Sequence, residues 1–155
     1  MRAPPFVAVL IGLLCGCASG HFTQGHGDVG HFIIQQAVIR GGHPVATNDL
    51  TPIGGPWQYY EDEHGVVIQM PRPQYPAVAA VLHQAFGEPR FGPTQTKDGG
   101  KLAEYRLTAK GGGIQFGYDA KQAWVIIIRP LSEQEFGEAF QKATKDRRVW
   151  ENLSK

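Results

Sequence analysis

Two short β-rich runs near the middle of the chain predict a hairpin. The runs are Trp57–Tyr60 and Val66–Met70, and the five residues between them, Glu61–Gly65, are polar and end in glycine. Apolar and aromatic residues on either side of a polar turn are typical of paired antiparallel strands. We expect the aromatic residues of the first run to face a core, with an exposed recognition surface as the alternative.

Three further runs predict an antiparallel meander: Leu102–Thr108, Ile114–Tyr118 and Ala123–Ile128. The connections between them are short, which favours neighbouring antiparallel strands. One connection contains Lys110–Gly113 and is interpreted as a glycine hairpin, because a phosphate-binding loop also needs a terminal Gly-Lys-Ser/Thr and a following helix. Trp124–Ile128 is apolar at every position, so we expect it to be the most buried strand.

Two helices are predicted, one before and one after the meander. The first begins near Gln74 or Pro76 and ends at Phe86, since proline suits a first helical turn and Gly87 is a stop signal. The second begins after Ser132. Residues 132–135 read Ser-Glu-Gln-Glu, the pattern of a capping box, in which the first and last side chains cap each other's backbone N–H groups.

The order hairpin, helix, three strands, helix predicts a single α+β domain over residues 57–150. We expect two layers, a mostly antiparallel sheet of about five strands with both helices on one face. Residues 31–56 precede this domain as a loop-rich lead-in. Within it His31–Ile39 favours a strand, although a helix stays open, and the prolines and glycines of residues 42–56 interrupt regular structure.

The apolar run Phe6–Leu14 predicts a signal peptide, because it is shorter than the ~20 residues that span a bilayer as a helix. Leu14-Cys15-Gly16-Cys17 closes the run and resembles the lipobox of bacterial lipoproteins, where a leucine, a tolerant position and a small residue precede an invariant cysteine. The resemblance implies that residues 1–16 are cleaved. It also implies that Cys17 becomes the first residue of the mature protein and carries fatty acids such as palmitate. The resemblance covers the first 20 residues and identifies no family for the mature domain.

The two cysteines do not suggest a disulfide. A bridge between Cys15 and Cys17 would enclose one residue, too few for ordinary disulfide geometry, and the chain has no third cysteine. An ordinary secretory signal is the alternative to the lipoprotein signal. The lipobox resemblance, with Ala18 after the cysteine, implies an anchor in the outer membrane that faces the periplasm.

Residues 17–30 are rich in glycine and predict a flexible lipidated tether. Three histidines recur in this segment at five-residue intervals, at positions His21, His26 and His31. Together with Asp28 they allow a metal-site hypothesis. Five-residue spacing places successive side chains on different faces of a helix or a strand, so we prefer a solvated spacer and keep metal binding as an alternative.

The charge balance limits the partners of the mature chain. The whole chain has 15 basic and 14 acidic side chains, and removal of Arg2 with the signal leaves 14 of each. A neutral chain gives no electrostatic reason to expect nucleic-acid binding. The expected partners are a membrane, through the lipid on Cys17, and an envelope protein of unknown identity.

The sequence shows no catalytic residues, metal motif or cofactor fingerprint, and Cys17 is used by the lipid. We therefore predict a lipid-anchored envelope protein whose domain is a non-catalytic binding or structural module, not an enzyme. Two alternatives stay open: a metal-binding lipoprotein that uses His21, His26 and His31, and an uncharacterised envelope enzyme.

Overall fold

An antiparallel sheet is the frame of the protein, whose computed structural model describes residues 22–43, 45–95, 100–108, 111–135, 137, 138 and 141. Within these residues the sheet has seven strands in the order β1-β2-β3-β7-β6-β5-β4. The strands are β1 (Thr23–Gln24), β2 (Gln58–Glu61), β3 (Gly65–Pro71), β4 (Phe91–Gln95), β5 (Lys101–Thr108), β6 (Gly111–Tyr118) and β7 (Gln122–Ile128). Every neighbouring pair is antiparallel.

Two helices pack on one face of this sheet. They are α1 (Val29–Ile39) and α2 (Tyr75–Phe86), and a short 3-10 turn, Arg72–Gln74, leads into α2. One core cluster joins apolar residues of both helices to residues of four strands. The strand members share a face, since they are register partners or lie two residues apart: Val66, Ile68 and Met70 on β3, Ala123, Val125 and Ile127 on β7, Ile114 and Phe116 on β6, and Tyr105 on β5.

The predicted α+β class, the hairpin, the first helix and the meander are confirmed. The strand number differs from about five, because β1 lies in the segment predicted as a tether and β4 lies in a segment for which no strand was predicted. Strand β4 pairs with β5 at Phe91, Thr94 and Gln95, with a register shift between the first two. Pro93 lies in that shift, where a residue without an N–H is tolerated on an edge strand.

The strand favoured for His31–Ile39 is wrong, because this segment is part of α1. The helix begins after Asp28, whose Oδ1 accepts a hydrogen bond from the backbone N–H of Gly30 at 2.8 Å. Val29, Ile33 and Ala37 recur every four residues and are fully buried. An N-cap followed by apolar residues at this spacing is a helix signal that outweighs the β propensity of isoleucine and valine.

The predicted flexible tether is also wrong for residues 22–28, which we name the strap. Its strand β1 pairs with β2, and the backbone N–H of Gly25 donates to the carbonyl of Trp57 at 2.8 Å. A Cβ atom at Gly25 would lie 2.2 Å from the indole ring of Trp57, so glycine is required for this close approach. The compact unit therefore spans Phe22–Pro130 and begins well before residue 57.

The described residues from Leu131 onward belong to a second unit. The capping box predicted there is confirmed: the backbone N–H of Glu135 donates to Ser132 Oγ at 3.1 Å, and that of Ser132 donates to Glu135 Oε2 at 2.9 Å. After residue 138 only residue 141 of the predicted helix is among the described residues. Of the helices that are described, none has the length and apolar character needed to cross a membrane.

Replacing Asp28 with alanine is expected to lower the free energy of unfolding by about 2 kcal/mol. About 1 kcal/mol comes from the lost N-cap and about 1 kcal/mol from a second bond, in which the N–H of Ile53 donates to Asp28 Oδ1 at 3.1 Å. Asp28→Asn retains an acceptor oxygen and should recover most of the loss. Urea unfolding measures both variants. Asp49→Ala, an exposed loop substitution, is the control, and equal stability of Asp28→Ala and Asp49→Ala would contradict this role.

Candidate binding groove

Two residues of the metal-site hypothesis, Asp28 and His31, lie at the start of α1, where Asp28 caps the helix. His31 Nδ1 lies 3.0 Å from Asp28 Oδ2, while the other oxygen of Asp28 caps α1. His26 is exposed in the strap, and His21 lies outside the described residues. In the described part of the chain, no three His, Cys, Asp or Glu side chains are grouped so that they could hold a metal ion.

The acidic turn between β2 and β3 has a structural explanation. Asp62 Oδ1 accepts hydrogen bonds from the backbone N–H groups of His64 at 2.8 Å and Gly65 at 3.0 Å. Such side-chain bonds to residues two and three positions ahead are the chemistry of a tight turn. The carboxylate of Asp62 thus shapes the hairpin.

Three tyrosines, Tyr75, Tyr105 and Tyr118, lie in the core or pack against it. Tyr75 stacks on Phe116 with 4.5 Å between ring centroids, and Tyr118 meets Tyr75 edge-on at 4.3 Å. Burial raises the pKa of Tyr75 above its ordinary value, and the neighbouring Tyr118 adds to the effect. Burial also raises the pKa of Tyr105. The hydroxyls of Tyr75 and Tyr105 therefore stay protonated near neutral pH and cannot act there as phenolate bases.

A groove at one end of the sheet is the candidate site. It has a volume of about 340 Å³, within the usual range for ligand pockets. It lies where β1 and β3 end and β2 and β7 begin. The residues that line it are Gln24, Pro56, Trp57, Gln58, Gln69, Met70, Pro71, Lys121 and Gln122.

Three of the four glutamines form a row across adjacent strands. Gln24 on β1 is the register partner of Gln58 on β2, which is the partner of Gln69 on β3. We name these residues the glutamine row. Its side chains lie on the sheet face opposite α1 and α2, since Ile68, the neighbour of Gln69 in β3, points into the core. The Nε2 of Gln58 donates to the Oε1 of Gln69 at 3.0 Å.

Trp57 fixes the wall of the groove beside the strap. Only 4% of Trp57 is exposed, and its ring packs against Phe32 with 4.7 Å between centroids. Its Nε1–H donates to the carbonyl of Gly27 at 3.0 Å, and its own carbonyl accepts from Gln24 Nε2 at 3.1 Å. The prediction that Trp57 is a core residue is confirmed. Trp57 therefore holds the strap through its side chain and the first residue of the row through its backbone carbonyl.

Amides are the main polar groups of the groove. Among the described residues that line it there is no carboxylate, imidazole, thiol or hydroxyl side chain, and Lys121 is the one charged side chain. General acid–base or nucleophilic catalysis needs such groups in partnered positions. Amides instead supply donors and acceptors that orient a ligand.

Sequence reasoning missed the glutamine row, although part of its signal was present. Gln58 and Gln69 stand at equivalent distances from the turn of a hairpin that the sequence predicts, so their pairing follows from the hairpin register. Gln24 gave no such signal, because it belongs to a two-residue strand inside a glycine-rich segment.

Comparison of the chain with protein-family models, with curated proteins and with solved structures gives no match. Its function is therefore inferred from the chemistry of its own residues.

Proposed function

We propose that this is a lipid-anchored protein of a bacterial envelope whose domain is a non-catalytic binding module, with the ligand held in the groove. The single observation that supports binding is the described lining itself, a set of glutamines beside the buried Trp57 in which no partnered catalytic groups occur. The support for the envelope location is the lipobox resemblance, which ends in Cys17.

The chain length between anchor and strap places the groove near the membrane in this proposal. Five residue steps separate Cys17 from Phe22, and a fully extended chain covers at most about 18 Å over five steps. Gln24 of the groove follows two residues later. The ligand is therefore sought among envelope components within reach of the membrane surface, with an outer-membrane anchor facing the periplasm as the proposed location.

Photo-crosslinking in intact cells tests the binding function. Benzoylphenylalanine in place of Lys121, which is exposed at the groove, should give a crosslinked species after irradiation. The matched control carries the same group in place of Gln95, an exposed residue on the opposite edge strand β4. A Lys121 variant that yields no more crosslinked product than the Gln95 variant would contradict a ligand in the groove.

A further inference from the structure

We infer that the ligand of the groove is a linear, uncharged glycan chain, bound along the glutamine row. This inference rests on the proposed binding function and adds the chemical class of the ligand. Its basis is the juxtaposition of amides, apolar surface and a single cation at one end of the sheet.

The amides match the chemistry of sugar hydroxyls. A glutamine side chain offers two N–H donors and an acceptor oxygen, and a hydroxyl likewise donates and accepts. The bond from Gln58 to Gln69 uses one donor of the first and one lone pair of the second. Within the described part of the chain, the oxygen of Gln58 and both N–H groups of Gln69 are left for a ligand. Gln122 adds a fourth amide to the same groove.

The charges of the lining favour a neutral ligand. Among the described residues of the lining, a cationic ligand would find no carboxylate, and an anionic one would find only Lys121, which is exposed to solvent. An exposed single ion pair contributes about 1 kcal/mol or less, too little to select an anion. Pro56 and Pro71, both exposed, add apolar surface of the kind that packs against the C–H face of a sugar ring.

The geometry of the row favours a chain over a single small molecule. After Gln69 the next register partner is Trp124 on β7, a partly exposed residue whose ring lies over the backbone of Gly117. Four strands about 4.8 Å apart give a run of about 14 Å from Gln24 to Trp124. An aromatic ring at the end of a line of amides offers a stacking surface for one further sugar unit.

An extended peptide fits this site less well. Peptides that add to a sheet pair with an open edge strand through backbone hydrogen bonds. The glutamine row lies on a face of the sheet, and at Gln58 the edge of β2 is already paired with β1. A peptide ligand is therefore an outcome that would overturn the inference.

Binding assays on the detergent-solubilised mature protein test the ligand class. The probes are purified peptidoglycan sacculi, chitin and cellulose in sedimentation assays, and chitotetraose and cellotetraose in calorimetric titrations. We expect binding to at least one probe, and we expect the double variant Gln58→Ala/Gln69→Ala to weaken it about tenfold to thirtyfold through the lost hydrogen bonds. Gln95→Ala, on the opposite edge, should bind like the wild type.

The arms of the assay separate the sources of the glycan. Binding to sacculi that soluble chitotetraose displaces indicates the glycan of the cell's own wall, because this competitor carries no stem peptide, and binding to chitin or cellulose alone indicates an external polysaccharide; both support the inference. Binding to sacculi that chitotetraose does not displace indicates the stem peptides and overturns the inference. Binding to no probe, or binding that the double variant leaves unchanged, overturns it. If the double variant has a lower melting temperature than the wild type, glycan binding is compared instead between the wild type and the single variant Gln58→Ala, which changes an exposed position.

The crosslinking experiment distinguishes a failure of the glycan inference from a failure of the proposed binding function on which it rests. A product formed through Lys121 that glycoside hydrolases shorten supports the glycan. A product that only proteases degrade leaves the binding function standing and overturns the glycan. The absence of any product above the Gln95 control overturns the binding function itself.

Discussion

A Cys17→Ser protein is expected in the soluble fraction of disrupted cells, whereas the wild-type chain is expected in the membrane fraction. By the lipobox resemblance Cys17 carries two or three acyl chains. Each buried methylene contributes about 0.8 kcal/mol, so two chains hold a protein stably in a bilayer. Loss of the thiol removes the acceptor of those chains. This is the largest effect that we predict for a single substitution in the chain.

Fractionation combined with labelled palmitate measures this effect. Cys15→Ser is the matched control, because residue 15 lies before the proposed cleavage site and leaves with the signal peptide. That variant should stay in the membrane and take up label. A Cys17→Ser protein that still sediments with membranes, or a wild-type protein without label, would mean that the lipobox interpretation is wrong.

Trp57→Ala is expected to lower the free energy of unfolding by about 3–5 kcal/mol, the usual range for truncation of a buried aromatic side chain. Trp57 is 4% exposed and packs against Phe32 and Tyr59, with 4.7 Å and 5.9 Å between ring centroids. It also donates the hydrogen bond that holds Gly27. The substitution therefore opens a cavity in the core and releases the strap in the same step.

Two measurements separate these consequences. Urea unfolding reports the loss of stability, and limited proteolysis under native conditions reports cleavage within residues 22–28. Trp57→Phe is the control, because it keeps an aromatic ring and loses the Nε1–H donor, so it should cost about 1 kcal/mol plus a smaller cavity term. A Trp57→Ala protein whose strap resists proteolysis as well as the wild type would contradict the role of the indole ring in holding it.

Local patterns in the sequence were sufficient wherever short-range physics decides the structure. The hairpin of β2 and β3, the meander, the bounds of α2 and the capping box at Ser132 all depend on residues within a few positions of one another. Apolar alternation, turn residues and caps act at this range. The antiparallel α+β class follows from the order of these elements.

Long-range contacts decided the remainder of the fold. Glycine at position 25 is compatible with a flexible linker and with close packing, and only the indole ring of Trp57, 32 residues later, selects packing. The isoleucines of α1 suit a strand as well as a helix until the Asp28 cap and the core of α2 and the sheet select the helix. Such ambiguities cannot be resolved locally, because the deciding partner is distant in sequence.

The candidate site shows the same division. The prediction from amino-acid type that the domain is not an enzyme stays a prediction. The groove itself required the tertiary structure. Gln24, Gln58 and Gln69 become one row only when the strap pairs with β2 and β2 pairs with β3. Strand register, which is set by packing across the whole sheet, brings together side chains that the sequence keeps up to 45 residues apart.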